Sequence, residues 1–106
     1  MRSILFFLSL IIIVHVVHAQ ISGIVTVGTS GADYTSLTNT GGVFQSISTG
    51  TLDGDLIVEV ISDLTSETGA FSLQQWNETG VGNYTVTIRP DGNTLRTIEG
   101  SYQGTG

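Results

Sequence analysis

The segment GDLIVEVISDL (54–64) alternates apolar and polar residues, and this alternation constrains the fold more than any other feature of the sequence. Its even-numbered positions from 56 to 64 are apolar except for Ser62, whereas its odd-numbered positions include three carboxylates, Asp55, Glu59 and Asp63. A period of two residues is typical of a β-strand with one buried face and one solvated face. The segment therefore predicts a strand that presents a row of carboxylates to solvent.

Three further segments predict strands, so the chain as a whole is expected to be all-β. ISGIVTVG (21–28), NYTVTIRP (83–90) and TLRTIEGSY (94–102) are short, rich in Val, Ile and Thr, and bounded by residues that favour turns. Asp53-Gly54 and PDGN (90–93) have the composition of turns, and we expect the chain to turn at both places.

The segment GGVFQSISTG (41–50) predicts a short helix instead. Val43 and Ile47 lie one helical turn apart and would form one apolar stripe. Thr40 stands where the side chain of an N-cap residue could accept hydrogen bonds from backbone N–H groups, and Gly50 stands where glycine commonly ends a helix. We therefore expect one helix between the first two strands.

Residues 1–19 have the layout of a secretory signal peptide. Arg2 precedes an apolar run, 4–17, and Ala19 provides a small residue for cleavage. The run is shorter than the roughly 20 residues that a membrane span needs. We expect cleavage after Ala19, a secreted or cell-surface location, and no integral membrane span in the mature chain, 20–106.

The composition of residues 20–106 excludes several kinds of chemistry. Both histidines lie in the first 19 residues, and the remaining chain has no His, Cys or Lys; its cations are Arg89 and Arg96, against nine carboxylates. Ser-His-Asp triads, thiol nucleophiles and His/Cys zinc sites are therefore excluded from this segment. Nucleic acid is not an expected partner, because its binding needs a basic surface. No catalytic residue is predicted.

The order of these segments resembles the N-terminal part of large secreted surface proteins of the Bacteroidetes. The likeness runs from DYTSLTNTGGVFQSIS through DLIVEVISDL and QW to TVTIRP and TIEGS, and it contains no catalytic motif. It implies a right-handed parallel β-helix of the pectin-lyase-like type. The helix in GGVFQSIS would cap the N-terminal end, and DLIVEVI and YTVTI would be stacked strands of the first coils.

A β-helix coil cannot bury its apolar face alone, so we expect residues 20–106 to be an incomplete domain, the N-terminal fragment of a longer protein. The expected function is that of a non-catalytic extracellular scaffold or adhesin-like module, with surface polysaccharide or another cell-surface protein as partner. One alternative is the N-terminal part of a polysaccharide lyase or hydrolase whose catalytic residues lie beyond this chain. Another is a small carbohydrate-binding module.

The row of carboxylates is better explained as a solvated face than as an active site. Residues four apart on one strand are separated by about 13 Å, whereas a glycosidase carboxylate pair needs roughly 5 to 9.5 Å. If the strands stack in register, Glu59 would lie near Arg89.

Two weaker site hypotheses remain from the sequence. Calcium could be held by oxygen ligands in two segments with turn composition, from Asp53, Asp55, Asp91 and Asn93; no other cofactor is expected. Trp76 and Tyr34 could bind a ligand such as a sugar ring. The alternative for these aromatic residues is burial against the apolar side of a coil.

Overall fold

The computed structural model describes residues 19–102, which are mostly β-structure with one short helix. The elements, in chain order, are β1 (Gln20–Val27), α1 (Val43–Thr49), β2 (Thr51–Val60), β3 (Leu64–Glu67), β4 (Asn77–Glu78), β5 (Val86–Pro90) and β6 (Ile98–Gly100). The prediction of a β-rich chain with one helix after the first strand is confirmed. The predicted signal peptide, residues 1–19, lies outside the described residues except for Ala19. Between residues 19 and 102, no helix has the length and apolar character needed to cross a membrane.

All strand pairs in the described chain are parallel, and they form two open sheets. In the larger sheet β1 pairs with one edge of β2, and β4 and β5 pair with successive parts of its other edge. The smaller sheet is the pair β3 and β6. We call β1 the first tier, β2 with β3 the second tier, and β4 to β6 the third tier. The second tier lies beside the first through the pairing of β2 with β1. The third tier lies beside the second through the pairing of β4 and β5 with β2 and of β6 with β3.

The apolar core lies beneath the second tier, as the alternation in GDLIVEVISDL predicts. Leu56, Val58, Val60 and Leu64 are each at most 2% exposed. The other core residues come from β1, α1, the start of β2 and the loop before α1: Val27, Leu37, Val43, Ile47 and Leu52. Complete burial of such a side chain contributes about 1.5–3 kcal/mol to stability.

The predicted turn at Asp53-Gly54 is wrong, because β2 runs continuously through both residues. Pairing with β1 overrides the local turn preference, and β1 adjusts with an irregularity between Ile21 and Gly23. A Cβ on Gly54 would lie 3.1 Å from the Cβ of Ser22, so glycine here allows close approach of the two strands. The turn after Pro90 is confirmed, with the Thr94 N–H donating to the Asp91 carbonyl.

The helix is present, but Thr40 is not its N-cap. Gly42 occupies that position and provides no side chain; the N–H groups of Val43 and Phe44 instead donate to the carbonyls of Ser36 and Leu37. The preceding loop thus satisfies helix donors that a capping side chain would otherwise bind.

The helix ends at Gly50, as predicted, although Gly50 does not adopt the left-handed conformation in which glycine commonly ends a helix. Gly50 has a φ of −103°, a value that any residue can adopt. A Cβ would lie 2.7 Å from the Ala19 carbonyl oxygen and 2.8 Å from that of Ser46, so the position lacks room for a side chain.

Candidate functional site

The carboxylates of the second tier bind the beginning of the strands in the third tier. Asp55 Oδ1 accepts a hydrogen bond of 2.9 Å from the N–H of Thr85, which directly precedes β5. Asp63 Oδ1 accepts one of 2.9 Å from the N–H of Thr97, which directly precedes β6. Both carboxylates are exposed, so the prediction of a solvated face is confirmed, and each also links two tiers.

Glu59 adds an ion pair to the same row. It lies opposite Arg89 in the parallel register, and its Oε2 is 3.5 Å from the Arg89 Nη2. The predicted proximity of these two residues is confirmed. Because the Arg89 side chain is about half exposed, the pair should contribute under about 1 kcal/mol.

Replacing Asp55 with alanine should lower the free energy of unfolding by about 1 kcal/mol, because the Thr85 N–H loses its acceptor at an exposed site. The measurement is urea unfolding followed by the fluorescence of the single tryptophan, Trp76. Asp53→Ala is the matched control: Asp53 is an exposed carboxylate on the same strand that does not bind the third tier within residues 19–102. A cost for Asp53→Ala equal to that for Asp55→Ala would contradict the assigned role of the hydrogen bond.

The four calcium candidates lie in two places. Asp53 and Asp55 are on β2, whereas Asp91 and Asn93 are in the turn after β5. Both oxygens of Asp91 accept from Arg96, from Nε at 2.8 Å and from Nη2 at 2.9 Å. This hydrogen-bonded pair holds the pKa of Asp91 below its usual value. No group of three His, Cys, Asp or Glu residues within 19–102 is arranged to hold a metal ion, and the calcium hypothesis stays a prediction.

Glu67, at the end of β3, is the most extensively hydrogen-bonded carboxylate of the described chain, and sequence reasoning missed it. It is 7% exposed. Oε1 accepts from the Leu37 N–H at 3.1 Å, Oε2 accepts from the Thr38 N–H at 2.7 Å, and the Thr38 hydroxyl also donates to Oε2. The Ser36 hydroxyl lies within 2.9 Å of both oxygens. One carboxylate therefore fastens the loop that precedes α1.

The pKa of Glu67 reflects two opposing effects. Burial raises the pKa, because it disfavours the charged form. Hydrogen bonds from Thr38, Ser36 and Leu37 favour the charged form and outweigh burial, so the pKa lies below the usual value of 4.5. The folded structure therefore holds Glu67 as a carboxylate at neutral pH.

Stability should fall as the pH drops below about 4.5, the usual glutamate value. A carboxyl group whose pKa is lower in the folded state stabilises that state above the unfolded pKa, and this contribution is lost as the pH falls through the folded pKa. The measurement is the urea midpoint between pH 7 and pH 2. In Glu67→Gln the remaining pH dependence should be smaller, and an unchanged dependence would contradict this assignment.

Trp76 and Tyr34 lie in different surroundings. Trp76 packs partly buried against the core, and its Nε1 donates to Glu78 Oε1 at 3.0 Å. With Gln75 and Glu78 it lines a recess of about 270 Å³. Tyr34 is also partly buried against the core, but it forms a bridge with Val27 and does not line this recess.

Glu78 organises the loop around Trp76. Besides the hydrogen bond from the indole N–H, it accepts hydrogen bonds from the backbone N–H groups of Asn83 at 2.8 Å and Tyr84 at 3.0 Å. The bond from Trp76, followed by those from Asn83 and Tyr84, lowers the pKa of Glu78 despite an opposing effect of desolvation. The indole is therefore fixed in orientation by a charged acceptor.

Comparisons with known proteins add no relative to these observations: no family model, curated protein or solved structure matches the chain. The resemblance to β-helical surface proteins accordingly stays a prediction.

Proposed function

We propose that this chain is a non-catalytic extracellular scaffold, formed by the cap and first coils of a right-handed parallel β-helix. The observation that supports this most directly is the use of its carboxylates. Asp55, Glu59 and Asp63 each bind the next tier, and Glu67 binds the loop before α1. A site for acid–base chemistry would need carboxyl groups directed at a substrate.

The strand arrangement supports the same proposal. Parallel strands lie beside one another in three successive tiers. A second parallel pair is formed by β3, which follows β2 in the sequence, and β6, which follows β5. Val43 and Ile47 of α1 are buried in the core. Parallel crossover connections are right-handed in nearly all proteins, which favours a right-handed coil.

Two measurements test the scaffold proposal. In the cells that make the protein, an antibody against it should label the intact surface, and external protease should remove the label. The purified protein, incubated with acidic and neutral polysaccharides, should release neither new reducing ends nor unsaturated products. Polysaccharide cleavage that disappears in Asp55→Asn or Glu59→Gln would overturn the proposal in favour of a lyase or hydrolase.

The recess at Trp76 favours carbohydrate binding as a second candidate function. An indole ring next to an amide and a carboxylate offers stacking and hydrogen bonding to a sugar. Under this proposal, oligosaccharides should change Trp76 fluorescence, and Gln75→Ala should weaken binding by about tenfold, or 1.4 kcal/mol. Gln74→Ala is the control, because Gln74 is an exposed neighbour that does not line the recess. Equal affinities for the two variants would contradict a site in the recess.

A further inference from the structure

The recess at Trp76 carries a negative charge that is held in place. Glu78, one of the residues that line it, accepts hydrogen bonds at Oε1 from the Trp76 indole and the Tyr84 N–H. Its Oε2 accepts a third, from the Asn83 N–H. Rotation of the side chain away from the recess would break all three bonds. The carboxylate therefore stays beside the indole when a ligand arrives.

The loop that follows Glu78 closes around the same carboxylate. Gly82 has a φ of +75°, and a Cβ at this position would lie 3.1 Å from Glu78 Oε2, so glycine allows the backbone to approach closely. Tyr84 is anchored in turn, because its hydroxyl donates to the Thr79 carbonyl at 2.8 Å. The loop thus fixes the position of the charge as well as that of the indole.

The hydrogen-bonding capacity of Glu78 restricts what it can bind. Its pKa lies below the usual value of 4.5, chiefly because of the hydrogen bond from Trp76, so the group is ionised at neutral pH. An ionised carboxylate has about four acceptor positions and no donor. Three donors of the chain are already bound, which leaves about one position for a ligand. That position suits a hydroxyl group and repels an anion.

No cation offsets this charge among the described residues that line the recess. Residues 20–106 contain nine carboxylates and two arginines, and both arginines line a different cleft. There, Arg89 is paired with Glu59 and Arg96 with Asp91. An acidic ligand at Trp76 would therefore meet repulsion without a compensating ion pair.

The size of the recess indicates that it takes one part of a longer ligand. Its volume of about 270 Å³ is just below the range of about 300–1,000 Å³ of pockets that enclose a whole small molecule. The indole N–H is already bonded to Glu78, so Trp76 offers a ligand only its ring for stacking. A single sugar ring of an oligosaccharide fits this combination of ring, amide and carboxylate.

We infer that the recess binds an uncharged sugar ring and rejects an acidic one, and that the fixed charge of Glu78 makes this distinction. The uncharged ring would stack on Trp76 and donate one hydroxyl to Glu78, with the Gln75 amide as a second polar contact. A uronate or sulfated ring would bring a second negative charge to the same place. The inference rests on the carbohydrate binding proposed above and adds the class of sugar.

Titrations of the purified protein with neutral and acidic oligosaccharides, followed by Trp76 fluorescence, test the inference. The neutral probes are cello-, manno- and xylo-oligosaccharides, and the acidic probes are galacturonate and alginate oligosaccharides. In about 0.02 M NaCl, we expect at least one neutral probe to bind and every acidic probe to bind at least about tenfold more weakly. In about 0.5 M NaCl this difference should narrow, because salt screens charge repulsion but not stacking.

A lysine at the recess should change the preference. In Gln75→Lys the ratio of acidic to neutral affinity should rise at least about tenfold, because the ammonium group can form a charge-assisted hydrogen bond with an acidic ring. Gln74→Lys is the matched control, since it adds the same charge at an exposed neighbour that does not line the recess. Its ratio should change by less than about threefold.

The results separate the class of sugar from the site itself. Equal affinities for neutral and acidic probes would overturn the inference and leave carbohydrate binding at the recess intact. An equal change of the ratio in both lysine variants would also overturn it, because net charge and not the recess would then make the distinction. Binding of none of the probes would overturn carbohydrate binding at Trp76 and the inference with it.

Discussion

Glu67→Gln should lower the free energy of unfolding by about 3 kcal/mol. The carboxylate presents one oxygen to the Leu37 N–H and the other to the Thr38 N–H and hydroxyl. A glutamine amide can accept at only one of these positions, so its NH₂ group must face a donor. A buried donor left without an acceptor costs about 1–3 kcal/mol, and the remaining hydrogen bonds lose their charge assistance.

Glu99→Gln is the matched control for this prediction. Glu99 is an exposed residue of β6, the strand that pairs with β3, and the same substitution there should change stability by less than about 0.5 kcal/mol. Both variants are measured by urea unfolding with Trp76 fluorescence. If Glu67→Gln is as stable as Glu99→Gln, the bonds from the loop do not stabilise the fold as argued.

Gly42→Ala should cost about 3 kcal/mol or more, although the φ of −83° at Gly42 is accessible to alanine. A Cβ would lie 2.7 Å, 2.9 Å and 3.0 Å from the carbonyl oxygens of Ser36, Asn39 and Leu37. All three are backbone atoms, and two of them accept the N–H groups at the start of α1. Relieving the overlap therefore requires movement of the loop or the helix, and such overpacking costs about 1–3 kcal/mol, occasionally more.

Gly23→Ala separates this effect from backbone strain. Gly23 has a φ of +79°, but no atom lies within 4 Å of the position of its Cβ. Alanine there should cost only about 1–2 kcal/mol, the usual penalty for the left-handed region. Urea unfolding of the two variants should place Gly42→Ala below Gly23→Ala in stability. The reverse order would mean that the loop moves aside without loss of its hydrogen bonds.

Sequence periodicity predicted the central strand and its two faces. The alternation from Leu56 to Leu64 identified buried and exposed positions because β2 is paired on both edges and covers the core on one face only. The same reasoning anticipated the pairing of Glu59 with Arg89, which requires only that two strands with similar patterns lie in register.

Features that depend on tertiary contacts were not predictable in this way. Glu67 is buried because the register of β3 and β6 shifts between Leu64 and Glu67, which places two residues three positions apart on the buried side. The carboxylates of Glu67, Asp55 and Asp63 accept hydrogen bonds from backbone N–H groups. Every residue except proline has such a group, so no residue type in the sequence identifies these donors. Threonine is a common N-cap residue, but the first N–H groups of α1 donate to carbonyl groups of the preceding loop and not to the side chain of Thr40.

The bonds between Glu67 and the loop before α1 also bear on the order in which the chain folds. With seven residues, α1 is too short to be stable alone. The loop that satisfies its first N–H groups is itself held by β3, which comes later in the sequence. Contacts between residues that are far apart in the sequence slow folding, because the entropy of loop closure is lost before the contacts form. The helix, although local in sequence, should therefore become fixed late, together with the second tier, and protection of its amides from hydrogen exchange should develop no earlier than that of β2.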